Sequence, residues 1–236
     1  MLKIDSVDAG YGRVQVLRGA SLQVGSGERV GLFGPNGHGK TTLFRAVSGL
    51  IEPWSGTIEY DGKPSAGENS AALLDRGMVH VPQGNTLFPG MSVEENLSLG
   101  AFSGNGWKDR EERMAEVFGL FPKLADRRGQ LANTLSGGER QMVSIGIGIM
   151  SRPRMLLLDE PTLGLAPRVK DELSEAIGKI ADSGVTLLLI DQDIEFLLQL
   201  TQRLYLLERG NIVLERKSDE LLDEKEVLSI YFGADP

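Results

Sequence analysis

A five-residue apolar strand, Arg29–Phe33, runs straight into Gly34-Pro35-Asn36-Gly37-His38-Gly39-Lys40-Thr41-Thr42, and no other stretch so narrows what the chain can fold into. The run satisfies G-x-x-x-x-G-K-[ST]. Its glycines let successive backbone N–H groups curl around a phosphate chain, and the helix that follows points its positive end at the same anion. In that setting Lys40 neutralises β- and γ-phosphate charge and Thr41 offers a hydroxyl to magnesium. A strand that turns through such a loop into a helix belongs to a βαβ unit, so a mainly parallel sheet with covering helices is expected.

The rest of the chain repeats that alternation. Met78–Pro82, Met155–Asp159 and Val185–Asp191 read as further buried strands. Between the last two, Val169, Leu173, Ala176, Ile177 and Ile180 recur at helical spacing, with Lys170, Asp171, Glu172 and Lys179 on the other face. The first 28 residues differ: Leu2–Val7, Val14–Leu17 and Ala20–Val24 are short alternating segments punctuated by glycine, which suggests a small antiparallel subsheet. Between about Gly84 and Pro153 strand signals give way to helical patterning in Val93–Leu99, Trp107–Phe118 and Glu139–Met150. The expectation is one α/β domain with a core at about 1–83 and 154–236 and a helical subdomain at about 84–153.

Composition removes several classes of chemistry. With no cysteine there is no disulfide, thiolate metal site or cysteine nucleophile, and His38 and His80 are the only histidines. Wholly apolar runs such as Leu187–Ile190 fall far short of the roughly 20 residues that cross a bilayer, and the N-terminus lacks a signal-peptide pattern, so a cytoplasmic chain is expected. A formal charge of −8 disfavours a broad nucleic-acid surface. Thirty glycines in 236 residues, with no collagen-like period, point to tight turns and close backbone approaches.

Met155-Leu156-Leu157-Leu158-Asp159-Glu160 places two carboxylates at the C-terminal end of a buried strand, where open α/β sheets bind ligands. Asp159 suits a magnesium ion, and Glu160 suits a water attacking in line on a γ-phosphate. Upstream lies Leu135-Ser136-Gly137-Gly138-Glu139-Arg140-Gln141. Its Ser-x-x-Glu is a capping box that starts a helix without any ligand. Together with the two other elements, it also makes the chain resemble the ATP-binding cassette (ABC) ATPases along essentially its whole length.

That resemblance implies a RecA-like P-loop core, ATP and Mg²⁺ as cofactors, and a dimer with two nucleotides sandwiched between subunits. The second cassette is either another copy or a different chain. It implies nucleotide contacts from Gly34, Pro35, Asn36, Gly37, His38, Gly39, Lys40, Thr41 and Thr42, with Thr41, Gln83 and Asp159 at the metal. Ser136, Gly137, Gly138 and Glu139 would contact the nucleotide of the partner subunit in trans. Tyr11 resembles the aromatic that stacks on adenine, against the plainer reading that it packs the subsheet. Gln83 resembles the glutamine that links the nucleotide to the helical insertion, beside which a groove receives a short helix of an integral membrane permease. Asn85–Met91 would contribute to that surface. A periplasmic or extracellular substrate-binding protein is implied indirectly, and the chain would sit peripherally on the inner face of the membrane.

Two departures stand out. Where the family commonly has a histidine, this chain reads Asp191-Gln192-Asp193; glutamine donates a hydrogen bond but does not titrate near neutral pH. The same replacement is typical of the LivF-type subunits of branched-chain amino-acid importers, which Asp159-Glu160-Pro161-Thr162-Leu163-Gly164-Leu165-Ala166-Pro167 and Ile230-Tyr231-Phe232-Gly233 also resemble. The resemblance therefore implies an ATPase energising import of branched-chain or other hydrophobic amino acids, with Glu160, Gln192 and Lys40 catalytic. The alternatives are urea or amide import, lipopolysaccharide export, a non-transport ABC ATPase, and a nucleotide switch with little turnover. The second departure is His38, where a small residue is usual. Its imidazole is expected to point outward, and a nucleotide affinity that changes between about pH 6 and 7 is the sharper alternative. Gly146 and Gly148 weaken a helix by about 1 kcal/mol each relative to alanine, with no evident return.

Overall fold

The computed structural model describes residues 1–84, 86–102 and 107–223; Asn85 and the Ile230–Gly233 run lie outside the described residues. In chain order the elements are β1 (Leu2–Tyr11), β2 (Val14–Val24), β3 (Arg29–Phe33), α1 (Lys40–Val47), β4 (Ser55–Tyr60), β5 (Lys63–Pro64), α2 (Ser70–Asp75) and β6 (Met78–Val81). A helical stretch follows with α3 (Val93–Leu99), α4 (Arg110–Leu120), α5 (Pro122–Ala125) and α6 (Gly137–Met150). The chain then runs through β7 (Met155–Asp159), α7 (Pro167–Asp182), β8 (Thr186–Ile190), α8 (Ile194–Leu200), β9 (Arg203–Glu208), β10 (Asn211–Lys217) and α9 (Ser218–Asp223).

Two sheets form. The larger has the order β10-β9-β3-β8-β7-β6, parallel throughout except for the antiparallel edge strand β10. The smaller is antiparallel, in the order β2-β1-β4-β5. The three short N-terminal segments are in fact two long strands, because β1 and β2 stay paired through register shifts between Ile4 and Gly10. A bulge absorbs Ser6 and lets the hairpin twist without ending.

Parallel strands buried on both faces read as continuous apolar runs, and alternate residues serve two cores. Val30, Leu32, Leu157, Leu188 and Ile190 pack toward α1 and the antiparallel sheet. Phe33, Val79, Val81, Leu156, Leu158, Leu187 and Leu189 pack toward α6, α7 and α8. Between β6 and β7 the regular elements among the described residues are helices and 3-10 turns, apart from one isolated bridge, Ser92 to Leu131. Helix α3 starts on a capping box: Glu95 N–H donates to Ser92 Oγ at 3.2 Å, and Ser92 N–H donates to Glu95 Oε2 at 2.7 Å.

The glycines of α6 are packing devices. A Cβ on Gly146 would stand 2.6 Å from Leu97 Cδ2 and 2.9 Å from Val117 Cγ1, and one on Gly148 would stand 3.0 Å from Val81 Cγ2. Helix α6 thus lies against α3 and α4 on one side and the sheet on the other. Facing it, a Cβ on Gly100 would meet the Ile147 carbonyl oxygen at 2.1 Å. Backbone cannot yield as a side-chain tip can, so Gly100→Ala is expected to destabilise the chain by about 1–3 kcal/mol. Gly119 is exposed near the end of α4 with nothing near its Cβ position, and Gly119→Ala is expected to be stabilising by about 0.5–1 kcal/mol. Urea unfolding of both variants checks the contrast.

Candidate nucleotide site

The loops that leave the C-terminal ends of β3, β6, β7 and β8 carry Gly34–Lys40, Gln83, Asp159-Glu160 and Gln192 respectively. Because β3, β8, β7 and β6 are neighbours in that order, the four loops emerge side by side. They enclose a cavity of about 550 Å³ whose walls include Val16, Asn36, Gly37, Gly39, Lys40, Thr41, Thr42, Gln83, Glu160 and Gln192.

The phosphate loop takes its shape from a close approach. Gly34 has φ 146°, and a Cβ there would stand 2.2 Å from the Leu207 carbonyl oxygen, so the loop can only leave β3 through glycine. The Lys40 ammonium is buried and donates to the carbonyls of Gly34 at 2.7 Å and Pro35 at 3.2 Å. Burial lowers its pKa, while Glu160, Asp159 and Asp191 act in the opposite sense.

The carboxylates differ in their surroundings. Thr41 Oγ1 donates to Asp159 Oδ1 at 3.4 Å, whereas Asp159 Oδ2 is buried and has no hydrogen-bond partner among the described residues. Burial, reinforced by Glu160, pushes Asp159 up to about 6 despite the Thr41 hydroxyl and Lys40. An orphaned carboxylate oxygen beside a threonine hydroxyl is a donor set that suits a hard divalent cation. Glu160 sits in the left-handed region at φ 48°, its N–H tied to the Ile190 carbonyl at 2.8 Å. The amides of Gln83 and Gln192 both donate to its Oε2, at 2.8 Å and 2.9 Å. The Gln192 side-chain Oε1 in turn accepts from Asn36 Nδ2 at 3.3 Å, linking this cluster to the phosphate loop.

Gly34, Pro35 and Asp159 adjoin the cavity without lining it, and Tyr11, His38 and the Ser136–Glu139 segment also lie outside its wall. Tyr11 is 42% exposed, and its phenol oxygen accepts from Arg45 Nη1 at 3.1 Å, with the guanidinium 5.9 Å from the ring centroid. His38 does not simply point outward. Its Nδ1 accepts the Arg209 N–H at 3.2 Å and its carbonyl accepts the Gly210 N–H at 3.0 Å, so it clamps the β9–β10 turn to the phosphate loop. Ser136 to Glu139 open α6 away from this cavity: Ser136 Oγ accepts the Glu139 N–H at 3.3 Å, the reciprocal bond is 2.8 Å, and Arg127 pairs with Glu139 at 2.6 Å. Ser136 and Gly137 are exposed, whereas Gly138 is buried, where a Cβ would stand 2.5 Å from Val169 Cγ1.

Asp191, which no sequence motif marks as functional, is 3% exposed and bonded to both the turn after β7 and the loop after β8. Its main partner, Thr162, is 29 residues away, too far for any local pattern to reveal. A second cavity, of about 590 Å³ and largely apolar, opens between α2, β6 and α6, with Leu74, Val79, Thr86, Leu99, Phe102 and Ile147 among its walls. His80 also lines it; burial and Arg45 push this imidazole down to about 4, and its Nδ1 lies 3.0 Å from Ser48 Oγ.

The ABC transporter family profile matches residues 17–163. The chain is 40% identical to the high-affinity branched-chain amino acid transport ATP-binding protein BraG of Pseudomonas aeruginosa, over 99% of this chain and 100% of that one. It is 33% identical to the lipopolysaccharide export system ATP-binding protein LptB of Escherichia coli, over 94% and 92%. The dimeric structure of a bacterial ABC transporter cassette superimposes with a TM-score of 0.81 at 26% identity, covering 92% of this chain and 99% of that one.

The electrostatics of Asp159 predict a pH dependence. An acid whose pKa rises from 3.8 to about 6 on folding binds more protons in the folded state, so ionising it opposes folding as pH rises through that window. At neutral pH the opposition is on the order of 3 kcal/mol. Without nucleotide or divalent cation, Asp159→Asn is therefore expected to melt several degrees higher than the wild type at pH 7.5, with the difference closing by pH 4. Thermal unfolding across that range measures it.

Proposed function

The chain belongs to the ABC transporter family, and from that premise we propose that it is the ATP-binding and hydrolysing subunit energising import of branched-chain or other hydrophobic amino acids through separate membrane permeases. The observation that carries the catalytic reading is the convergence of Lys40, Thr41, Glu160, Gln83 and Gln192 on one cavity, with Asp159 hydrogen-bonded to Thr41. Similarity to BraG along the full length of both chains supports the cargo class over lipopolysaccharide export, for which LptB is a less similar relative.

In this reading the phosphate-loop N–H groups and Lys40 hold the β- and γ-phosphates. The Lys40 ammonium moves from its carbonyl partners to the anion, a charge-assisted exchange. Thr41 and Asp159, with Gln83 in the same site, would hold a Mg²⁺ ion, which would supply positive charge to offset that of the phosphates. Glu160 accepts the proton of the attacking water through Oε1, because Oε2 is engaged by both glutamine amides. Gln192 takes the place of the usual histidine by hydrogen bonding without a charge. Tyr11 supplies the face on which adenine stacks, its orientation set by Arg45.

The separation of Ser136–Glu139 from this cavity supports their acting on the nucleotide of a second cassette, as a homodimer or a heterodimer. The apolar cavity beside β6 supports docking of a permease helix against the helical subdomain, about residues 84–153. No helix among the described residues is long and apolar enough to cross a membrane, which fits a peripheral seat on its cytoplasmic face. A periplasmic or extracellular substrate-binding protein completes the proposed importer.

Glu160→Gln is expected to bind ATP with little change while phosphate release falls by about 10²-fold or more, leaving a long-lived ATP-bound dimer. Lys40→Ala is expected to weaken ATP binding by about tenfold to a hundredfold, the value of one charged contact. Steady-state phosphate release and equilibrium nucleotide binding check both; near-normal turnover of Glu160→Gln would refute the role given to that carboxylate.

A further inference from the structure

Asp191 is the first residue after β8, and its buried carboxylate takes donors from two loops at once. Oδ1 accepts the backbone N–H groups of Gln192 at 2.8 Å and Asp193 at 2.9 Å. Oδ2 accepts the N–H and Oγ1 of Thr162, at 3.2 Å and 2.7 Å. Thr162 lies two residues beyond Glu160, on the turn that leaves β7. The parallel register already sets Asp159 beside Ile190, so the turn and the loop leave the sheet together. Asp193 anchors the far side of the loop: its Oδ1 caps α8 through the Phe196 N–H at 3.1 Å, and its Oδ2 pairs with Lys170 of α7.

Gln192 is therefore held between two anchored carboxylates. A glutamine side chain has three rotatable torsions, and its amide reaches one carboxylate oxygen reproducibly only if its backbone is fixed. Here the amide reaches Glu160 Oε2 at 2.9 Å. Asp191 itself does not line the phosphate cavity. We propose that Asp191 is a positioning residue for ATP hydrolysis: it locks the Glu160 turn to the Gln192 loop so that the Gln192 amide orients the Glu160 carboxylate toward the attacking water. The proposal rests on the reading of Glu160 as the base.

The role separates from a merely structural one by where the kinetic loss falls. A general anchor lowers stability and nucleotide affinity together, whereas misplacing a base by about 1 Å costs on the order of a hundredfold in turnover alone. The test is steady-state phosphate release by the full-length chain with Mg-ATP. Asp191→Asn is expected to lower kcat between about tenfold and a hundredfold with KM within about threefold of wild type. Thr162→Val, which deletes only the hydroxyl donor, is expected to lower kcat less, and adding it to Asp191→Asn to cost nothing further. In a Glu160→Gln background, Asp191→Asn is expected to leave the residual rate unchanged. Wild-type kcat in Asp191→Asn, or a rise in KM matching the fall in kcat, overturns the proposal. If Asp191→Asn does not fold, Thr162→Val decides by the same criterion. Full turnover in Glu160→Gln sinks the base assignment; an inactive Glu160→Gln beside a fully active Asp191→Asn sinks the positioning role alone.

Discussion

Parallel pairing of β3, β8, β7 and β6 decides the height at which each loop leaves the sheet. Leu32 stands beside Ile190, Ile190 beside Asp159, and Val81 beside Leu158. The phosphate loop, the Asp159-Glu160 pair, Gln83 and Gln192 therefore begin within about one residue of a common level. A slip of one residue in any pair would turn every side chain of that strand to the opposite core and carry its loop out of line. The two dry cores on either face of the sheet thus hold the chemistry in register.

Around that register the site is built from buried polar groups, each with a specific partner or a reason to lack one. Glu160 is held by two amides and Asp191 by donors from two loops, while Asp159 keeps one oxygen unpartnered. An unpartnered buried carboxylate opposes folding in the chain alone, and it is retained where a cation would use it. The strained backbone of Glu160, in the left-handed region, is of the same kind.

Much of this was legible in the sequence. The strand-to-helix loop at Gly34–Thr42 and the carboxylates at the end of Met155–Asp159 are contiguous, so local pattern alone identified them. The Ser136–Glu139 capping box is likewise local, and it starts α6. The N-terminal segments were less legible, because glycine marks both a turn and a bulge, and only the partner strand distinguishes them. The clamping role of His38 has no local signal, since nothing nearby in sequence shows that Arg209 and Gly210 fold back onto it. By sequence Gly146 and Gly148 only lower helix propensity; their use in packing depends on α3, α4 and β6, which lie against them.

The sequence by itself determined the chemical inventory, namely a phosphate loop, two carboxylates at a strand end, a signature segment and a glutamine in place of a histidine. These are set by neighbouring residues, within the reach of a turn or a helix. Only the tertiary structure decided which of them meet. It brought Gln83, Gln192 and Glu160 together across 77 and 32 residues of chain, joined Asp191 to Thr162, and left Ser136–Glu139 out of the wall of the cavity at the phosphate loop. Such pairings depend on strand order and on which faces are buried, and hydrophobic periodicity encodes burial without naming the partner strand.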